Sequence, residues 1–538
     1  MTEIVMSQTP PILHGPSEKE KKYDRQLRLW AASGQAALES ANLLLVNSGA
    51  GVVGVETFKN LILPGIGRFA IYDDALVEEA DLGVNFFVDE SCLGKPRSQC
   101  LTELLTELNP DVHGSWYPSE ETAPSLDSLL ATSPVFTAII YTLPIAPERL
   151  AQLEAYGRQH KTPLFAIHSA GFYSYFRISL PGAFPIVDTH PDETATTDLR
   201  LLTPWPELVE FARDMTKDID SLDAYEHGHL PYVVILLYYL ERWKQTHEGR
   251  YPSTYKEKTE FRRIVQNAAR ADNPEGGEEN FDEAAAAVLK TVVPPSLPSG
   301  LREVFDYTPS EPIEERSSFW IVANAIKAFH AKHKTLPLRG NVPDMKAKSS
   351  VYIQLQNIYK TKARQDAAEV LETAQSIAPG RQFDPAEVEL FCKNAPFVKL
   401  INATKGVDSA SSTCVNVLRE VTAQELANDE NAEITLSPLS LLPIYLALRA
   451  TSHVASATAD EILSSIEETI PGTKDHERIV SAAQEVARAE GGELHNIAAL
   501  TGGMVAQEMI KIITKQYIPI DNTCIFDGIA SRSQVLRL

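Results

Sequence analysis

The sequence is short of cysteine, of positive charge and of long apolar runs. Only five of its 538 residues are cysteines and none forms a C-x-x-C pair, so neither a zinc site nor a disulfide framework is predicted. Its 49 basic and 72 acidic residues give a formal charge of -23, which argues against nucleic acids and anionic membranes as partners. The longest apolar run, Leu230 to Leu240, is far below the roughly 20 residues that a spanning helix requires. We therefore expect a cytoplasmic and nuclear protein.

What the sequence does contain is a strand, a tight turn and a helix near its start. The apolar residues 43–46 lead into Gly49, Gly51 and Gly54, which form the pattern G-x-G-x-x-G. Glycines at these positions allow a sharp turn, close approach of a phosphate and close packing of helix on strand. A second apolar run ends at Asp73, 19 residues after Gly54, where an acid suits a ribose hydroxyl. The pattern predicts a Rossmann-like α/β fold with a parallel sheet.

The alternation of strands and helices is interrupted by a long helical region. Strands at 136–141 and 163–167 continue the predicted sheet, and the alternating pattern returns with a helix at 495–514. Residues 435–450 are apolar but carry two prolines, and their pattern predicts neither helix nor strand. The predicted helices between these regions span 231–247, 254–271, 281–292, 319–333, 350–377 and 385–394. We therefore predict a mobile tail (1–18), a nucleotide-type domain in two parts (19–180 and 486–538) and a helical inserted domain (181–485).

Several segments together carry a family resemblance. Residues 23–30, the glycine loop with Glu56, residues 60–67 and residues 502–511 resemble the ThiF/MoeB-type adenylating domain of ubiquitin-like-protein activating enzymes. The match runs from about residue 20 and is weakest between 405 and 480. Within the insertion, residues 318–321, 336–345 and 355–357 resemble one branch of that family, the regulatory subunits of heterodimeric neddylation-activating enzymes. The resemblance implies an adenylation-like domain interrupted by the helical insertion.

The resemblance also shows where this chain departs from active members. Their S-N-L-N-R-Q-F segment holds the ATP phosphates, and here Gly83 and Val84 replace its asparagine and arginine. The magnesium-binding acid expected after the strand near Ile140 is absent from the sequence Tyr-Thr-Leu-Pro at 141–144. A transition state with spread negative charge needs such cationic partners. The resemblance thus implies a degenerate pocket with no metal site and no bound cofactor, formed by Gly49, Gly51, Gly54, Asp73 and Lys95, with ATP and magnesium expected in a partner subunit.

The candidate for a chemical role lies upstream, at Arg25. The resemblance implies that the Tyr-x-Arg-Gln segment reaches across a pseudo-symmetric dimer to the ATP site of the other subunit, so that Arg25 acts in trans. The alternative is an Arg25 that simply pairs with Asp24 on a solvated helix face. No cysteine has the context of the family's thioester nucleophile, and Cys392 lies in an apolar helical pattern typical of a core residue.

A partner interface is also implied by the resemblance. The catalytic subunit is expected to contact the loop and helix between Pro343 and Gln356, although the same residues are equally consistent with an ordinary connection between helices. Aromatic residues near the first strand are consistent with a large apolar interface. The predicted interface residues are Tyr23, Trp30, Pro343, Asp344, Met345, Tyr352, Leu355 and Gln356.

These features predict a regulatory subunit that is not catalytic alone. It would pair with a catalytic subunit to adenylate and thioester-load a Nedd/Rub-type ubiquitin-like protein. One rival is an NAD-dependent oxidoreductase, although none of the 18 tyrosines is followed four residues later by the lysine that many such enzymes use. The other rivals are a self-sufficient homodimeric adenylating enzyme and the inactive half of an activating enzyme for another modifier.

Overall fold

The computed structural model describes residues 15, 17–119, 125–191, 197–271, 276–402, 412–432 and 436–538. It divides into two compact units, the first comprising Met1–Ile186 with Ile401–Leu538 and the second Val187–Leu400. Most of the predicted tail lies outside the described residues. Its end is ordered, because the Ser17 hydroxyl accepts the backbone N–H of Glu20 and the Glu20 carboxylate accepts that of Ser17. This capping box starts helix α1 at Glu18, the last residue of the predicted tail.

The first unit is built on an eight-stranded sheet with the order β10-β9-β6-β5-β4-β1-β2-β3. The five strands from β3 to β5 in that order are parallel, and β6, β9 and β10 add antiparallel pairs. Four of these five parallel strands were predicted from the sequence, and β3 was not. Its strands are β1 (Asn42–Val46), β2 (Arg68–Tyr72), β3 (His113–Tyr117), β4 (Ala138–Thr142), β5 (Leu164–Ala170), β6 (Tyr173–Ser179), β9 (Thr523–Asp527) and β10 (Arg532–Leu536), while β7 (Ala183–Val187) and β8 (Val398–Asn402) lie where the chain passes between the units.

Both faces of this sheet are covered by helices. Side chains alternate along β1, so Leu43 and Leu45 join the core on one face while Leu44 and Val46 join the core on the other. Strands buried on both faces read as continuous apolar runs, which explains the pattern at residues 43–46. The helices of this unit are α1 (Glu18–Lys22), α2 (Asp24–Glu39), α3 (Val52–Ile62), α4 (Glu79–Leu82), α5 (Arg97–Glu107), α6 (Leu126–Thr132), α7 (Pro147–His160), α17 (Ser412–Glu430), α18 (Leu442–Ala450), α19 (Ala459–Thr469), α20 (Glu477–Arg488) and α21 (His495–Thr514).

Helices α3 and α21 pack closely against each other. A Cβ on Gly502 would lie 2.8 Å from the Thr57 backbone nitrogen, so only glycine permits this approach. Helix α21 is long and apolar enough to cross a membrane by length and composition, but 61% of its apolar window is buried inside the protein. That burial is typical of a core helix. The C-terminal part of the chain therefore covers the helix that follows the glycine loop.

The second unit is helical and has its own core. Leu355 and Tyr359 on its longest helix are fully buried, and the Tyr359 hydroxyl donates to the Leu199 carbonyl at 2.6 Å. All six helices predicted between residues 231 and 394 are present. The helices are α8 (Pro206–Thr216), α9 (Ala224–His227), α10 (Tyr232–Thr246), α11 (Tyr255–Asn267), α12 (Glu279–Thr291), α13 (Ser299–Asp306), α14 (Ser318–His333), α15 (Ser349–Ile377) and α16 (Pro385–Asn394).

The predicted C-terminal boundary of the insertion differs from the observed one. Residues 401–485 belong to the first unit and not to the insertion. Helix α18 packs on the sheet, where Tyr445 contacts Tyr175 with ring centroids 4.9 Å apart, and α19 and α20 pack against α18 in the same core. The second face of a sheet needs a helical layer, and this segment supplies it. Pro443 did not reveal the helix in the sequence because proline is as compatible with the first turn of a helix as with a loop.

Candidate functional site

The glycine loop joins β1 to α3 and is packed against side chains of this chain. Gly51 has a φ of +65° and forms the N-cap of α3. A Cβ there would lie 2.2 Å from Nδ2 of Asn47, and one on Gly54 would lie 2.9 Å from both Asn47 and Thr142. Close packing within the protein thus requires both glycines, whether or not a phosphate approaches the loop.

Asp73 lies at the end of β2, as predicted, but its carboxylate is already engaged. Its Oδ2 atom accepts from Nε of Arg97 at 2.7 Å and from Nδ2 of Asn47 at 2.9 Å. Its Oδ1 atom accepts from Nη2 of Arg97 at 3.2 Å and from the Ala75 backbone N–H at 3.0 Å. Only 1% of the residue is exposed. The predicted ribose acid therefore serves as one half of a buried ion pair.

The cation inside the pocket is Arg97 and not the predicted Lys95. The Lys95 side chain is exposed, whereas Arg97 is 4% exposed. Besides Asp73, its guanidinium donates to Asp81 at 3.2 Å and to the Gly49 carbonyl at 2.9 Å. Four of its five N–H groups are thus used. Arg97 was not predicted as a site residue because it opens helix α5, where a charged residue is ordinary. The one signal in the sequence is its position two residues after Lys95.

The end of β4 closes the opposite side of the loop. The Ser48 backbone N–H donates to Oγ1 of Thr142 at 2.7 Å, and the Ser48 hydroxyl donates to the Thr142 carbonyl at 2.8 Å. Thr142 stands in the segment where active family members would carry the magnesium acid. Among the described residues, no group of three His, Cys, Asp or Glu side chains could hold a metal ion. The donor set at this strand end suits internal hydrogen bonding better than a hard divalent cation.

Glu493 enters the pocket from the segment just before α21. Its Oε2 atom accepts from the Val53 backbone N–H, in the first turn of α3, at 2.8 Å. The residue is 5% exposed. Burial raises the pKa of this carboxyl group to about 7, although the amides of residues 51–53 and the Arg97 charge favour its ionised form. Nothing in the sequence pattern indicated Glu493, because it lies about 440 residues from the loop that it contacts.

The loop that replaces the family's ATP-binding segment is also held by this chain. The His495 Nδ1 atom lies 3.1 Å from the Val84 carbonyl, and its ring stacks on Phe86 with centroids 3.7 Å apart. The Nε2 atom of His495 is 3.8 Å from the buried carboxylate of Glu56. Val84 offers only its backbone, as the sequence predicted. The loop is thus fixed to α3 and α21 by internal contacts.

Arg25 presents the opposite situation. It lies near the start of α2 with its side chain exposed. Asp24, the pairing partner in the alternative interpretation, binds Nε of Arg28 at 3.0 Å instead. No hydrogen bond or ion pair joins the Arg25 side chain to a described residue. The guanidinium is therefore available to another molecule.

Two predicted interface residues on the same segment point inward. Tyr23 is 2% exposed, and its hydroxyl accepts from Nδ2 of Asn109 at 3.0 Å. Trp30 is 7% exposed and its Nε1 atom donates to Gln35 at 3.1 Å. The prediction for both is corrected, because burying a large ring in this chain's own core leaves little of it for a partner.

The predicted interface in the second unit is corrected in part. Met345, in the loop before α15, and Leu355, on α15, both belong to the helical core. The Tyr352 hydroxyl donates to the carbonyls of Val342 and Pro343, both at 3.3 Å. This contact ties the loop to α15. Asp344 is exposed, while Pro343, Tyr352 and Gln356 are partly exposed.

The described cysteine side chains are all buried. They belong to Cys92, Cys100, Cys392 and Cys524. Burial raises the pKa of the Cys392 thiol to about 12, which leaves almost no thiolate at neutral pH. The expectation that Cys392 is a core residue agrees with its 2% exposure. The side chain of Cys414 is outside the described residues.

Comparisons with known proteins agree with this architecture. The profile of the ThiF family matches residues 23–538. The chain is 34% identical to the NEDD8-activating enzyme E1 regulatory subunit of Xenopus laevis over 97% of its length and 99% of that protein, and 35% identical to that of Drosophila melanogaster over 99% and 100%. It is 32% identical to the regulatory subunit AXR1 of Arabidopsis thaliana, over 97% of both chains. The solved structure of MccB from E. coli aligns with 31% of this chain and 48% of its own at 17% identity, with a TM-score of 0.27, too low to bear on the fold. On this match over residues 23–538, the chain belongs to the ThiF family.

Proposed function

We propose that this chain is the regulatory subunit of a NEDD8-activating enzyme, the heterodimer that carries out the first step of protein neddylation. The observation that carries this function is similarity over nearly the whole length to regulatory subunits from animals and a plant. The chain acts with a catalytic subunit, and the modifier that the pair activates is a ubiquitin-like protein of the Nedd/Rub type. With a charge of -23, neither nucleic acids nor membranes are expected partners.

ATP, magnesium and the thioester cysteine belong to the catalytic subunit in this proposal. The glycine-loop pocket does not fit a nucleotide, because Arg97 and Asp73 satisfy each other and Glu493 accepts the α3 amide that a phosphate would use. The same ion pair opposes the oxidoreductase alternative, since Asp73 has no free oxygen for a ribose hydroxyl. The buried thiols of the four described cysteines oppose a nucleophilic role for them.

Arg25 is the residue through which this chain supports the chemistry. Its guanidinium is exposed and pairs with no described residue, which suits a trans contact with the phosphates in the partner's active site. Arginine remains charged at all working pH values and can form two parallel hydrogen bonds to a phosphate. An arginine supplied in trans to a phosphate-bearing transition state is worth orders of magnitude in rate in other enzymes.

The test is ATP–pyrophosphate exchange by the reconstituted heterodimer in the presence of the modifier. Arg25→Ala should lower the exchange rate at least about tenfold, because phosphate charge would lose a cationic partner. Arg28→Ala, one turn later and also exposed, is the matched control and should leave the rate within about twofold. Unchanged exchange with Arg25→Ala, in a heterodimer that still assembles, would remove Arg25 from the mechanism. Thioester formed on this chain in place of the partner would overturn the regulatory assignment itself.

Localisation in the cytoplasm and nucleus stays a prediction of the same proposal. Its support is the scattered pattern of the five cysteines, which is typical of a reducing compartment. Imaging of the tagged full-length chain would show it. Exclusive recovery from an organelle lumen would contradict the prediction.

A further inference from the structure

We propose that Glu493 is a built-in ligand of the glycine loop: its carboxyl group occupies an oxyanion site at the start of α3 and so keeps phosphate groups out. This inference deepens the proposed function by giving a physical reason why the chain would bind no nucleotide. Its test measures the free chain and not adenylation, so its failure is distinguishable from a failure of the proposed function.

The first support is the place of the carboxyl group. The unpaired N–H groups at a helix start form a ready-made site for anions, and the helix dipole adds to their attraction. Helix α3 has 11 residues, and its N-cap residue Gly51 has no side chain to satisfy these groups. Oε2 of Glu493 lies 2.8 Å from the Val53 nitrogen, well within hydrogen-bonding distance. The site is thus filled by the chain itself.

The second support is the way in which Glu493 is held. It forms a parallel β-bridge with Gly171, between β5 and β6, and the Gly171 backbone N–H donates to the Gly492 carbonyl at 2.9 Å. Gly171 has a φ of +55°, and a Cβ there would lie 3.0 Å from Ala489. The backbone at Gly492 and Glu493 is therefore held to the connection between β5 and β6. Because its backbone is fixed, the Glu493 carboxyl group is not easily displaced from the start of α3 by an anion from solvent.

The third support is the balance of charge around the loop. Arg97 is the cation that contacts the loop, and it is shared by Asp73 and Asp81, both less than 10% exposed. Two carboxylates and one guanidinium already leave a charge of about -1, before Glu493 is counted. A triphosphate would meet an arginine whose charge is already shared by two carboxylates, and it would have to displace the Glu493 carboxyl group from the helix start.

The test is chemical rescue of Glu493→Ala, which removes a group of the size and shape of acetate. Thermal unfolding of the full chain would be followed with sodium acetate, with inorganic phosphate and with sodium chloride at equal ionic strength. Acetate and phosphate should each raise the Tm of Glu493→Ala by roughly 2 °C or more above the chloride control. The wild-type chain and Glu493→Gln, whose sites remain filled, should show no such difference.

Each outcome decides a part of the proposal. Rescue by neither anion would overturn the oxyanion site, and rescue by acetate alone would overturn the exclusion of phosphate. A second measurement covers an alanine variant that does not fold: hydrogen exchange of the peptide 49–55 in the wild-type chain and in Glu493→Asp. The shorter side chain should speed exchange at Val53 at least about threefold, while the peptide 99–105 of α5 stays unchanged. Equal exchange at Val53 in both proteins would contradict the contact.

Discussion

Charged side chains are buried and paired in the glycine-loop pocket, whereas on the outer surface of α2 the Arg25 side chain is exposed. In the pocket, Arg97, Asp73 and Glu493 are buried and bound to one another or to the backbone. On α2, Arg25 is exposed and no described residue pairs with it. The family's motif residues lie mostly in the first region, whereas the exposed guanidinium of Arg25 lies in the second. A matching sequence motif thus identifies the fold. Whether the site can bind a ligand depends on whether its side chains are already paired within the protein.

The largest effect expected within this comparison is that of Arg97→Ala. It leaves two carboxylates buried without their cation, and breaking a buried pair in this way costs about 3–5 kcal/mol. Because the chain has two compact units, the unfolding transition of the first unit should be followed separately by urea denaturation. Lys95→Ala is the control and should change the free energy of unfolding by less than about 0.5 kcal/mol. Equal effects of the two variants would show that Asp73 does not depend on Arg97.

Helix α15 offers a similar contrast between a buried residue, Leu355, and its partly exposed neighbour, Gln356. Leu355→Ala should lower the free energy of unfolding of the second unit by about 2–5 kcal/mol, because it creates a cavity in a fully buried position. Gln356→Ala, the adjacent and partly exposed control, should cost less than about 0.5 kcal/mol. Pull-down of the catalytic subunit, corrected for the folded fraction, should be unchanged by Leu355→Ala. If Leu355→Ala weakened binding of the catalytic subunit without lowering stability, Leu355 would be an interface residue after all.

The burial of Glu493 predicts that the free energy of unfolding of the chain depends on pH. Its folded-state pKa of about 7 lies above the unfolded value of about 4.3, so the protonated group stabilises the fold at low pH. This stabilisation is complete below the unfolded pKa and is lost as the pH rises through about 7. The wild-type chain should therefore lose up to about 3 kcal/mol relative to Glu493→Gln between about pH 4 and pH 7.5. Parallel stability curves for the two proteins across that range would contradict the burial of this carboxyl group.

The smallest effect concerns Tyr23 and Arg25, which lie two residues apart. Tyr23→Phe removes the hydroxyl that accepts from Asn109 and should cost about 1 kcal/mol of stability. Arg25→Ala should change the stability of the free chain by less than about 0.5 kcal/mol, since its side chain is exposed. Tyr23→Phe thus tests a role in packing within this chain, whereas Arg25→Ala tests a role in the partner's site. A stability loss with Arg25→Ala as large as that of Tyr23→Phe would remove this distinction.

The fold could be predicted from sequence where a pattern is local. The strand, glycine turn and helix at residues 43–62 combine an apolar run, positive-φ glycines and helical periodicity, and the structure confirms them. The β3 strand was missed because its residues are only partly buried and show no clear alternation. The boundary near residue 400 was missed because the helices of residues 412–488 have the same periodicity as those of the insertion, and periodicity does not identify the surface that a helix covers.

In the candidate site, only features within one local segment of the sequence could be predicted. Gly83, Val84 and the segment after β4 revealed missing ligands, because an absent side chain is visible in a sequence. The pairing of Arg97 with Asp73 and of Glu493 with α3 was not visible, since it depends on contacts between distant segments. Likewise, the aromatic character of Tyr23 did not tell an interface from a core, because both favour the same residue types.

The pairing of β6 with β9 has a consequence for synthesis of the chain on the ribosome. Tyr173 is opposite Asp527, so one edge of the sheet stays open until more than 350 further residues have been added. At about 5–20 residues per second this wait lasts roughly 20–70 s. Limited proteolysis of stalled nascent chains would show whether β6 stays accessible for that time. The unpaired N–H and C=O groups of a strand edge can pair with other chains, so β6 is a site where aggregation can begin during synthesis.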